Sequence, residues 1–267
     1  MTASTSTAEV QNTSGFTTLN VEQGDDRLHV RLHRPEVRNA IDAAMVEELH
    51  AVCAELESNP RMLILSGTAA DPSSGTKAIF ASGADIAQLR ARRRDDALAG
   101  INSSLFNRIA VLPMPVIAAL DGFALGGGAE LAYAADFRIG TAGLRMGNPE
   151  TGLGILAAAG ATWRLRELVG EPLAKEILLA GRILTGEECL DAGLITQIVE
   201  PEELIQAANA LADRIARQDA LAVRLTKSVF HAPREAHPLI DTLAQGILFE
   251  SPAKFDLMQQ FLDRKKS

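Results

Sequence analysis

Long apolar runs are missing from this chain. No stretch approaches the ~20 apolar residues a membrane helix needs, so no membrane partner is expected. Cysteine is scarce: Cys53 and Cys189 are the only two, and they sit in amphipathic stretches without metal-ligand spacing. A disulfide scaffold is excluded, and both read as reduced core thiols of an intracellular protein. Positive charge is not in excess either. The 26 Lys and Arg against 34 Asp and Glu give a formal net charge of −8. That argues against nucleic acid as a partner, because phosphate binding needs a basic footprint. The first 15 residues lack Lys, Arg and any apolar run. They read as a polar tail, neither a secretory signal nor an Arg-rich transit peptide, which leaves the cytoplasm as the expected location.

What is present is an ordinary globular composition, 47% hydrophobic and 22% charged over 267 residues. A chain of that length buries a core without staples. The alternation in 28–33 predicts a strand whose His29, Arg31 and His33 share one face. With a cation between the histidines, that face reads as solvated and not as a metal site. Residues 41–58 repeat apolar side chains at helical spacing, 62–65 form a buried strand, and 68–77 form a surface loop. Gly75-Thr76-Lys77 has the wrong order for a phosphate loop. Helix is expected over 85–107 and 129–135, and strand over 115–120 and 137–140. Helices then follow at 173–180, 187–192 and 202–217, with a strand at 195–199 among them and three more helices to the end. Strands alternating with helices, then helices alone, indicate an α/β core over 16–200 and a helical C-terminal region over 201–267.

The densest cluster of unusual residues runs from Asp121 to Glu130, where an apolar strand enters Gly126-Gly127-Gly128 and then a helix. Three glycines are entropically costly in a simple turn. They permit close approach to bare backbone N–H groups at a helix N-terminus, where an anion or a developing oxyanion is favoured. Tight strand–helix packing is the alternative, and a dinucleotide fingerprint fails because Leu131 stands where the last glycine belongs. A second such turn is Phe80 to Asp85. Its Ser82 lacks a nucleophile-elbow setting and a nearby histidine, so it is no catalytic nucleophile. Two carboxylates accompany the turns, Glu130 in the helix after the glycines and Glu150 after Asn148-Pro149. Each taken alone fits a helix cap; together, beside an oxyanion site, they make a general acid/base pair.

The segments Phe80 to Ile86, Pro115 to Ala119, Asp121 to Leu131, Asn148-Pro149-Glu150 with Gly154, and Gly193-Leu194-Ile195 resemble the crotonase superfamily, the enoyl-CoA hydratase/isomerase family. The similarity runs in order from about Leu19 to Lys266. It implies a spiral of ββα turns making two stacked sheets, then helices through which the chain forms homotrimers or hexamers. It implies hydration of a trans-2-enoyl-CoA to a 3-hydroxyacyl-CoA, with coenzyme A as part of the substrate and no metal or cofactor. Ala84 and Gly127 match the oxyanion-hole positions, and Glu130 and Glu150 the two hydratase glutamates. Ser82, Gly83, Asp85, Ile86, Gly126, Ala158 and Trp163 are the implied substrate-binding residues. Isomerases of the family commonly keep only the second glutamate, so isomerisation of a 3-enoyl-CoA is the enzymatic alternative and a non-catalytic acyl-CoA binder the other.

The chain departs from the family pattern at Ala157 to Arg164, where alanines replace the usual Pro and Gly, and Trp163 replaces glutamine. The backbone N–H groups survive that change, while the shape of the acyl end does not. Arg90, Arg92, Arg93 and Arg94 either meet phosphates of an anionic ligand or form a solvated face balanced by Asp95 and Asp96. The basic end at Arg264, Lys265 and Lys266 has the same two readings.

Overall fold

The computed structural model describes residues 15–71, 73 and 75–264. The 1–15 tail (apart from Gly15) and the terminal Lys265 and Lys266 lie outside them.

Along the chain β1 (Leu19–Gln23) and β2 (Arg27–Leu32) precede α1 (Ala43–Ser58), β3 (Met62–Ser66) and β4 (Ile79–Ala81). Then come α2 (Ile86–Ala91), α3 (Arg94–Ala99), α4 (Ile101–Ala110), β5 (Val116–Leu120), β6 (Phe123–Leu125) and α5 (Gly127–Tyr133). β7 (Phe137–Gly140), β8 (Arg145–Gly147), α6 (Ala161–Val169), α7 (Glu171–Ala180), β9 (Ile183–Thr185) and α8 (Gly186–Asp191) follow. The chain ends in α9 (Leu204–Ala216), α10 (Ala220–Phe230), α11 (Leu239–Phe249) and α12 (Pro252–Arg264).

One sheet has the order β1-β2-β3-β5-β7 and the other β4-β6-β8-β9. Successive strands β3 and β4, β5 and β6, β7 and β8 therefore fall one in each sheet, so the chain descends as a spiral. Pairing is parallel between β2, β3, β5 and β7 and between β4, β6 and β8; β1 and β9 close their sheets antiparallel. Every residue of β3 and β5 is buried. Covered on both faces, such strands read as unbroken apolar runs. α1 is started by the Asp42 carboxylate, which accepts from the Met45 N–H at 2.9 Å. Its Met45, Leu49, Val52 and Leu56 then turn one stripe into the core.

Several expectations are corrected. The single helix over 85–107 is three, because Arg92 and Arg93 are extended and Gly100 is left-handed at φ 61°. The strand over 195–199 reduces to one bridge, Gly140 with Ile198. The helix expected from 129 begins at Gly127. β9 and α6 carried no usable period. The strand face read as solvated is so only in part: His33 is exposed and Arg31 half-buried, but His29 is buried and pairs with Ser66 Oγ at 2.8 Å, and Arg27 donates to Asn209 Oδ1 of α9 at 3.0 Å. α9 itself buries Leu204, Ala208, Leu211 and Ala212 against Met62, Ile64, Ile117 and Ile139 of the first sheet. α10 is held by Lys227, whose Nζ donates to Asp136 Oδ2 at 2.7 Å and to the Met114 carbonyl at 3.1 Å.

The α5 start is seated on β4. A Cβ on Gly128 would stand 2.4 Å from the Ala81 carbonyl oxygen and 2.8 Å from the Ala81 Cβ. Gly128→Ala is therefore expected to destabilise the protein by about 1–3 kcal/mol, as overpacking does, read from the urea midpoint. An unchanged midpoint would mean that this contact does not hold the helix in place.

Candidate active site

Two backbone turns meet at the site. In the first, Ile41 donates its N–H to the Gly83 carbonyl at 2.8 Å and accepts from the Asp85 N–H at 3.0 Å. That parallel bridge satisfies the residues on either side of Ala84 and turns the Ala84 N–H the other way. In the second, Gly127 is the first residue of α5, where an amide has no intrahelical acceptor. Neither N–H has a hydrogen-bond acceptor among the described residues. The turns lie against each other. A Cβ on Gly83 would come within 3.1 Å of the Leu125 carbonyl, and one on Gly127 within 3.4 Å of the Ala84 nitrogen. Gly126, at φ 54° and ψ −125°, lets the strand turn into the helix in a conformation that side chains resist.

Both carboxylates face the same cleft, a cavity of about 460 Å³. Glu130 is 3% exposed. Its Oε1 accepts from the Ala159 N–H at 2.7 Å and the Ala161 N–H at 3.1 Å. Burial pushes its carboxyl up to about 7, with the Glu150 charge adding to the rise, against the pull of the two amides and Arg164. Glu150 sits on a 3-10 turn, Pro149–Leu153, that its proline starts. Burial raises its carboxyl as well. The Asn148 amide donates to Glu150 Oε1 at 3.4 Å, while Glu150 Oε2 is buried with no partner among the described residues. Burial thus raises both carboxyls that line this cleft, the setting in which acid and base groups are found.

Ser82, Gly83, Ala84, Ile86, Gly126, Gly127, Glu130, Glu150 and Ala158 all line this cleft. Two expected substrate contacts do not. Asp85 is the N-cap of α2, its carboxylate accepting from the Gln88 N–H at 3.0 Å. Trp163 is 47% exposed on the outer face of α6 and lines a separate cleft below α10. Neighbouring helical residues point about 100° apart, so Trp163 turns out where Arg164 turns in. The Arg164 guanidinium lies 4.1 Å from the Trp163 ring and donates to Asn107 Oδ1 at 2.7 Å. Of the arginine cluster, Arg92 and Arg93 line the cleft that holds the two carboxylates, whereas Arg90 and Arg94 do not.

Sequence reasoning missed Arg164 behind Glu130, Asn102 beside Gly127, and Leu153, Ile155 and Leu156 as apolar wall. The Asn148 amide was visible only as part of a motif. An apolar residue cluster directly after the Pro-Glu pair was the available signal for the wall.

Residues 25–266 match the model of the family described as Enoyl-CoA hydratase/isomerase. The chain is 33% identical to the short-chain-enoyl-CoA hydratase of Clostridium acetobutylicum over 89% of its own length and 91% of the other. It is 34% identical to the crotonyl-CoA hydratase of Syntrophomonas wolfei over 88% and 91%. The solved enoyl-CoA hydratase of Bacillus anthracis superposes with a TM-score of 0.84 at 27% identity, covering 93% of this chain and 97% of that one. With the spiral of paired sheets and the facing carboxylates, these similarities establish that the chain belongs to the enoyl-CoA hydratase/isomerase family.

Proposed function

We propose that the protein is an enoyl-CoA hydratase, adding water reversibly and on one face across the double bond of a trans-2-enoyl-CoA to give a 3-hydroxyacyl-CoA. The observation that carries this reading is the pair of carboxyls, both raised by burial, that share a cleft with two acceptor-free amides. The thioester oxygen lies between the Ala84 and Gly127 N–H groups, which stabilise the negative charge that grows there. Each such donor is worth ~3 kcal/mol. A water held by the carboxyls gives its proton to ionised Glu130 as its oxygen bonds to C3. The π electrons of C2=C3 move toward the carbonyl, and protonated Glu150 delivers a proton to C2.

The division of roles rests on geometry: Glu130 Oε1 has two amide donors ready to hold an anion as it forms, while Glu150 Oε2 is buried without a donor among the described residues; burial raises both carboxyls, Glu130 to about 7. The elements of water add without electron transfer, so the step calls for no redox cofactor, the two amides take the polarising role a Lewis acid would otherwise fill, and coenzyme A enters with the substrate. Ser82, Gly83, Ile86, Gly126 and Ala158 line its path, and Arg92 and Arg93 set cations beside it for an anionic ligand. Free, buried Cys53 and Cys189, both pushed up to about 12 by burial, fit a reducing cytoplasm. Exposed Leu239, Leu243 and Ile247 on α11 and Leu257 and Met258 on α12 favour self-association as trimers or hexamers. Light scattering is then expected to give three or six times 28.4 kDa, and a monomer would contradict it.

Crotonyl-CoA tests the reaction: the enzyme is expected to bleach its conjugated absorbance. Glu130→Gln and Glu150→Gln should each lower kcat by about three orders of magnitude with acyl-CoA binding near wild type. No bleaching by the wild-type protein, or near-normal turnover by either variant, would overturn the proposal.

Burial of Glu130 also has a cost. Its carboxyl ordinarily titrates at 4.5 and in the fold at about 7. The native state therefore binds the extra proton, and stability falls as pH rises through that window, by on the order of 3 kcal/mol in full. Glu130→Gln carries no such charge. Its Tm advantage over wild type should be small at pH 5 and larger at pH 8; an advantage that does not grow with pH would show that Glu130 ionises without penalty.

A further inference from the structure

Tyr133 is the only tyrosine in the chain, and it is buried at the C-terminal end of α5, three residues past Glu130. A buried phenol needs a partner for its hydroxyl. Here that partner is Asn148: the Tyr133 hydroxyl donates to Asn148 Oδ1 at 2.9 Å. The amide orientation follows from its other neighbours, a carbonyl and a carboxylate that accept only: the NH₂ faces them and the oxygen faces Tyr133, whose hydroxyl donates to it. The two acceptors of the NH₂ are the Gly126 carbonyl at 3.3 Å and Glu150 Oε1 at 3.4 Å. Asn148 is itself 1% exposed, so water offers it no alternative partners.

The Gly126 carbonyl and the Gly127 N–H belong to one planar peptide unit. A donor on that carbonyl orients the plane and draws electron density from its nitrogen, which makes the N–H a better donor to the opposite side. The same carbonyl also accepts the Glu130 N–H at 3.0 Å. One amide side chain thus touches both the peptide whose N–H lines the cleft and the carboxylate across from it. We infer that Tyr133 is a positioning residue: through Asn148 it holds the Gly127 amide and Glu150 in register with each other. The inference rests on the hydratase reading for what is being positioned, and the two are tested separately.

Tyr133→Phe deletes one hydroxyl from a buried site and leaves the ring to pack. In the full-length enzyme it is expected to lower kcat for crotonyl-CoA about tenfold, the loss of one well-placed hydrogen bond, with KM within twofold of wild type. Carboxyl NMR of protein labelled with ¹³C-glutamate, with Glu150 assigned by Glu150→Gln, should show Glu150 titrating at higher pH, because a donor to its anion is no longer held in place. Asn148→Ala approaches the link from its other end and should move both readouts the same way. In the Asn148→Ala background, Tyr133→Phe should have no further effect on kcat.

A lower Tm with kcat and the Glu150 titration both unchanged would overturn the inference and leave Tyr133 a packing residue, as would additive effects in the double variant. If the wild-type protein fails to hydrate crotonyl-CoA while Glu150 still shifts in Tyr133→Phe, the positioning link stands and the hydratase reading falls.

Discussion

The site depends on backbone contact between two turns. Gly83 and the Gly126-Gly127 pair press together so closely that a methyl group on Gly83 would crowd the Leu125 carbonyl. The contact works because each turn has already placed its neighbouring hydrogen bonds elsewhere. Ile41 takes up the groups flanking Ala84, and the Gly126 N–H donates to the Gly147 carbonyl at 2.9 Å. The Ala84 and Gly127 amides, one from each turn, are left without an acceptor among the described residues, and both line the cleft.

The carboxylates follow the same economy of burial. Glu130 is lifted toward neutrality by its surroundings and brought partly back by the Ala159 and Ala161 amides. Those amides belong to the stretch in which alanines stand where the family usually has proline and glycine. The backbone donors persist because alanine retains its N–H, and Gly160 persists at the one place, φ 132°, that a side chain resists. A Cβ there would also strike Arg164 Nη1 at 2.4 Å.

Much of this was legible in the residues themselves. β3 and β5 announce themselves as unbroken apolar runs, and α1 as a stripe behind an aspartate cap. The consecutive glycines before Glu130 mark a place where backbone must be approached. What was not legible depended on partners distant in sequence or on phase. The burial of His29 depends on its neighbours across the sheet, Ser66 of β3 and Glu22 of β1, which no local period reveals. Trp163 was misplaced because α6 was not recognised as a helix, so nothing told which of Trp163 and Arg164 faced inward. Asp85 was read as a substrate contact although an aspartate just ahead of a helix is an ordinary cap. The break at Gly100 is a single left-handed residue inside an otherwise helical pattern, and the three-residue strands β8 and β9 are too short to show any alternation.

α2, α3 and the extended link between them contribute Ile86, Leu89, Arg92, Arg93 and Ala97 to one side of the cleft, yet neither helix buries a single side chain. The opposite side, carrying Glu130 and the glycines, is wholly interior. Local opening is cheap where few apolar contacts are lost and expensive where many are. The two banks of the cleft therefore differ in how they are held: one is fixed by the core, and the other rests on few apolar contacts, so opening it costs far less.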